Sequence, residues 1–185
     1  IKRDFAPLPE RLRAVLARQA KIRALLLSGK AILDQVPRAA LDIVIPRAQP
    51  PRVAKIKGAS RIGNILYISG QIPQWEGELR YVGKVGREFS IEEGRAAARL
   101  SALNVLAQAS EALGGNLDRI KQIAKLAGYV NCTPELTEIG AVINGASELF
   151  LEIFGERGAH ARVAVGAYSM PLGVAVEIEA VMEVE

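Results

Sequence analysis

The chain has 185 residues, half of them hydrophobic, enough to bury one ordinary core with little more than an appendage beside it. No apolar run approaches the ~18 residues that cross a bilayer, no secretory signal pattern opens the chain, and the single cysteine, Cys132, excludes an internal disulfide, so a soluble protein of the cytoplasm is expected. The net charge of +4 hides a division, because residues 1–52 hold eleven Lys/Arg against four Asp/Glu whereas 53–185 hold thirteen against sixteen.

In residues 1–37, Leu12, Val15, Leu16, Ile22, Leu25 and Leu26 recur at near-helical spacing between Arg11, Arg13, Arg18, Lys21 and Arg23. This predicts a basic amphipathic helical extension that docks its apolar stripe on its own domain or on a neighbouring subunit. Binding to a membrane surface, nucleic acid or another partner is the alternative. Pro37, Pro46, Pro50 and Pro51 mark 38–52 as an extended connector, and 53–185 is the folded domain.

Residues 53–57 are expected to be the first strand, 61–64 a turn centred on Gly63, and 65–69 the second strand of a hairpin. The glycine-rich stretch 75–87 reads as a loop with room for a short strand. Ser90 followed by Glu93 is a capping box that opens a helix running to about Leu113, where Gly114 and Gly115 stop it. Its core face carries Ala98, Ala102, Val105, Leu106, Ala109 and Leu113. A strand is expected over 120–131 and a second helix over 138–154, the latter striped by Val142, Ala146, Leu149, Phe150 and Phe154 and closed by Gly155. Strands over 162–168 and 174–184 follow, the second alternating apolar residues with Glu177, Glu179 and Glu183. The order β-β-α-β-α-β-β predicts an α+β fold in which two helices cover one face of a mixed sheet.

His160 and Cys132 are each alone in the sequence, which excludes a Cys/His zinc cluster within one subunit. His160 reads as a loop residue and Cys132 as a packing residue at a strand end. No phosphate-binding glycine loop is present. Arginine and carboxylate chemistry remains, although Arg162 and Glu177 could equally be a structural ion pair across adjacent strands.

Two separated motifs go further. Ile68-Ser69-Gly70-Gln71-Ile72-Pro73 ends the second strand, and Ala161-Arg162-Val163-Ala164-Val165-Gly166, Pro171-Leu172-Gly173 and Val176-Glu177-Ile178-Glu179-Ala180 follow in order near the far end. Together they resemble the RidA/YjgF family of enamine and imine deaminases, most closely its chorismate-mutase-like branch, from about Arg52 onward. The resemblance implies the chorismate-mutase-like fold, a homotrimer with sites between subunits, and no metal or organic cofactor. By the same resemblance, Arg162 clamps the carboxylate of a 2-imino acid and Glu177 handles the hydrolytic water. Ser69, Gly70 and Asn144 line the pocket, and the products are a 2-oxo acid and ammonia. Many relatives carry a tyrosine at a position that falls here on Ile56. A non-catalytic protein of the same fold that binds a small anionic metabolite is therefore the alternative. RNA binding or cleavage through the basic extension ranks last.

Overall fold

The computed structural model describes residues 43–51 and 55–185. The basic extension expected over 1–37 lies outside them, as does the RNA reading that rests on it. Within 45–185, β1 (Ala59–Ile62) and β2 (Ile65–Gln71) form a hairpin whose two-residue turn is Gly63-Asn64. Gly63 takes a positive φ of 59°, which a residue without a Cβ adopts at no steric cost. The first strand thus lies nearer the turn than the expected 53–57. Ile62 pairs directly with Ile65, so the tight turn pulls Arg61 and Ile62 into the ladder and leaves 55–57 irregular.

A second small hairpin, β3 (Gln74–Trp75) and β4 (Glu78–Leu79), opens the expected loop, which otherwise stays irregular up to α1. Helix α1 (Ile91–Ala112) begins at the predicted capping box: Ser90 Oγ accepts from the Glu93 N–H while the Glu93 carboxylate accepts from the Ser90 N–H. Strand β5 (Ile120–Asn131), helix α2 (Ile139–Phe154), strand β6 (Ala161–Ala167) and strand β7 (Val176–Val184) complete the order.

The sheet runs β1-β2-β7-β5-β6. β7 lies antiparallel between β2 and β5, and β6 lies parallel to β5 at the outer edge. The β5-to-β6 crossover is made by α2, as a parallel pair requires. Val176, Ile178, Ala180, Met182 and Val184 of β7 are buried beneath the helices, and the intervening residues face the opposite, uncovered side. Along that open face Tyr67 remains 46% exposed and Val163 and Val165 41% each.

Helix α1 is buried on more sides than one stripe suggests, with every residue from 101 to 109 buried. It packs on the sheet and on α2, and polar side chains tie further segments to it. Asn104 donates to the Ile72 and Gln74 carbonyls, and Gln108 donates to the carbonyl of Gln49 in the proline-rich stretch. The two helices approach closely at glycine: a Cβ on Gly145 would stand 2.0 Å from the Arg95 carbonyl oxygen. Arg95–Glu148 and Arg99–Glu152 ion pairs, each at 2.8 Å, flank that contact. Backbone cannot yield as a side chain can, so Gly145→Ala is expected to destabilise the domain by about 3 kcal/mol, read from urea unfolding.

Candidate functional site

Arg162 is the second residue of β6 and stands opposite Leu126 of β5, which is fully buried beneath the helices. The register therefore directs Arg162 to the helix side, at the outer edge of the sheet beside α2. Its Nη1 donates to Asn144 Oδ1 at 2.8 Å and to Ser147 Oγ at 3.1 Å. Nη2 passes near Gly140, where a Cβ would come within 3.5 Å of it. Among the described residues nothing accepts from Nε or Nη2, so the side chain is anchored through one nitrogen while the rest of the fork stays available. Asn144 sits inside α2, and Glu138 occupies the cap position, so Asn144 does not cap this helix.

His160 stands in the loop the sequence predicts, just before β6, and nothing in the sequence marks Ser147 as its partner. The fold brings them together: His160 Nε2 lies 3.0 Å from Ser147 Oγ, and Nδ1 lies 2.6 Å from the Gly158 carbonyl oxygen. The Phe150 ring meets the imidazole edge to face at 6.0 Å. Burial lowers the His160 pKa from its ordinary value, a direction that the neighbouring Arg162 charge reinforces against the Gly158 hydrogen bond. The sequence signal was slight: a lone histidine two residues before the motif arginine.

Glu177 belongs to β7 and, by alternation with buried Val176 and Ile178, points to the open face. Its carboxylate lies against Gly70, where a Cβ would come within 1.8 Å of Oε1. Gly70 falls in the irregularity that interrupts the β2–β7 register between Ile68 and Gln71. The strand end around it is fixed from both sides. Ser69 donates its hydroxyl to the Lys57 carbonyl at 2.6 Å, and the Gln71 amide donates to the Ser69 and Gly70 carbonyls at 3.0 and 3.1 Å.

Burial first, and then the Glu179 charge, push the Glu177 pKa up from its ordinary value. Tyr129, opposite Glu177 in the β5–β7 register, donates its hydroxyl to Glu179 Oε1 at 3.4 Å. Gly70→Ala is expected to force the Glu177 carboxylate out of its seat. A fall in activity with little loss of melting temperature would follow, because the side chain can swing into the open face.

The five sequence-predicted residues thus gather as two groups. Arg162 and Asn144 meet on the helix side at the sheet edge, whereas Ser69, Gly70 and Glu177 meet on the open side. Strand β5 separates β6 from β7, so Arg162 and Glu177 are neither on adjacent strands nor on one face. This overturns the alternative that they form a cross-strand ion pair, and among the described residues Arg162 has no salt bridge.

A mixed sheet with two helices on one face is an α+β architecture, and comparison with known proteins specifies its family. Residues 44–183 match the family model described as "YjgF/chorismate mutase-like, putative endoribonuclease". The chain belongs to this YjgF/RidA family. It is 42% identical over 144 residues to the protein TCP17 of Trypanosoma cruzi, covering 77% of this chain and 89% of that one. Among solved structures, Atu1372 of Agrobacterium tumefaciens, a protein of unknown function, is 40% identical with a TM-score of 0.74, over 80% of this chain and 90% of its own. TdcF of E. coli with bound serine is 26% identical with a TM-score of 0.52, over 75% and 94%. Among the described residues no helix is long and apolar enough to cross a membrane.

Proposed function

We propose that the protein hydrolyses reactive 2-imino or enamino acids to 2-oxo acids and ammonia. The observation that carries this reading is the half-anchored guanidinium of Arg162, held by Asn144 and Ser147 and with no acceptor on its remaining N–H groups among the described residues. Such a fork binds a carboxylate through two parallel hydrogen bonds. Glu177, poorly solvated and raised in pKa, has the character of a general base. It removes a proton from water as the water oxygen bonds to the carbon of the protonated imine, giving a neutral carbinolamine. Returning a proton to nitrogen lets the C–N bond break, the carbinol hydroxyl loses its proton, and ammonia and the 2-oxo acid leave. Water is the only co-reactant.

Because the two groups lie on different sides of one sheet, the reading requires a second copy. One subunit offers Arg162 and Asn144, and its neighbour offers Ser69, Gly70 and Glu177, in a homotrimer with sites between subunits. The apolar side chains Tyr67, Val163 and Val165 on the open face favour such an association.

Ile56, 57% exposed, stands where many relatives carry a tyrosine, and this favours a second reading in which the same cleft binds a small anionic metabolite without turning it over. TdcF holding serine favours a ligand of amino-acid size in either case. The deciding experiment is ammonia release from imines generated in situ by an amino-acid oxidase, with light scattering on the same sample. A trimer with turnover supports hydrolysis, a trimer that binds 2-oxobutanoate without turnover selects the binding reading, and a monomer sinks the shared site.

A further inference from the structure

We propose that His160 and Ser147 form a positioning relay that fixes the orientation of Arg162, so that His160 acts on ligand binding through the serine without touching the ligand. The proposal rests on the reading of Arg162 as a carboxylate clamp.

The hydrogen-bond donors and acceptors determine the direction of the relay. Gly158 offers a carbonyl oxygen to His160 Nδ1 at 2.6 Å, so Nδ1 must carry a proton. In the neutral imidazole Nε2 then bears only a lone pair, and at 3.0 Å it accepts the Ser147 hydroxyl hydrogen. The lone pairs of Ser147 Oγ are thereby left for Arg162 Nη1 at 3.1 Å. Burial lowers the pKa of the imidazole and so favours this neutral form.

Without the histidine, a serine inside a helix turns its hydroxyl back to a carbonyl of the preceding turn, and its lone pairs point elsewhere. Asn144 would then hold Nη1 alone, through one bond that leaves the guanidinium free to pivot. The relay's other end is rigid. Gly158 is packed so tightly on α2 that a Cβ there would stand 2.2 Å from the Phe150 carbonyl oxygen, and Phe150, fully buried, braces the ring. The groups facing His160 are Ser147 and Phe150 from α2, Gly158 from the preceding turn and Arg162 from β6.

The chain has a single histidine, so nitrogen-15 histidine NMR of the intact protein reads His160 without assignment. At pH 8 the spectrum is expected to show a proton on Nδ1 and a bare Nε2, and the opposite tautomer would overturn the relay. The second arm is the affinity for 2-oxobutanoate by calorimetry. Ser147→Ala and His160→Phe are each expected to weaken it about tenfold, which is the scale of one hydrogen bond to a charged group. The double variant should be no weaker than Ser147→Ala alone, and Ser147→Thr should retain binding. Additive losses, or a threonine that fails to rescue, would assign both residues a merely structural part and overturn the proposal. Binding lost in Arg162→Ala yet unchanged in Ser147→Ala overturns the relay and spares the clamp. Absence of binding by the wild type, or binding that survives Arg162→Ala, overturns the clamp reading and the relay together.

Discussion

Arg162→Ala is expected to lower kcat/KM for a 2-imino acid by a factor of about 10² to 10³, the size of two lost charge-assisted hydrogen bonds. Melting temperature should hardly move, because the side chain is exposed and no carboxylate pairs with it among the described residues. Arg162→Lys separates charge from shape. An ammonium keeps the positive charge but cannot present two parallel N–H groups, and it cannot hold Asn144 and a carboxylate at once in the same plane. Its activity should therefore lie between wild type and alanine, with the loss expressed mainly in KM. Steady-state kinetics together with a melting curve check this, and a fall in melting temperature matching the fall in activity would mean that Arg162 serves the fold.

Glu177→Gln should show the opposite coupling of stability and activity. Removing the base is expected to reduce kcat by roughly 10³, while the neutral amide relieves a carboxylate held out of water beside Glu179. The sign follows from linkage. The folded-state pKa is raised above the unfolded value, so this carboxyl's contribution to stability is fully present below the ordinary value of 4.5 and is lost as pH rises through the raised pKa. The glutamine variant should accordingly melt higher than wild type at pH 7, and its advantage should vanish as the pH falls below about 4.5. Wild-type activity should rise with pH across the same interval as the base ionises. A variant that melts lower than wild type at neutral pH would show that the charged form of Glu177 stabilises the structure.

What the sequence reveals about this site is local. The Ser90–Glu93 capping box and the stop at Gly155 are written in neighbouring residues, and both lie where the pattern puts them. The alternation along β7 correctly separates Glu177 from buried Val176 and Ile178. The hairpin turn at Gly63 is legible as well, although the strand before it is displaced because register is set by how many residues the turn consumes.

The arrangement of the site depends on contacts between distant segments. Nothing near Arg162 or Glu177 says that β5 will come between their strands, and that one fact decides both their separation and the failure of the ion-pair alternative. His160 and Ser147 lie thirteen residues apart and meet because the turn at Gly155–Gly158 folds back along α2. Pattern reading sees a loop histidine and an ordinary helix serine there.

The insertion of β7 between β2 and β5 has a consequence for folding. Residues 176–184 follow all the other strands in the chain, yet they fill the centre of the sheet, so until they dock the facing edges of β2 and β5 have no partner strand. Each edge pairs readily with another polypeptide. The sheet closes in one late step that joins segments more than a hundred residues apart, as Ile65 meets Glu183. Unpaired edges of this kind make a chain prone to aggregate before the sheet closes.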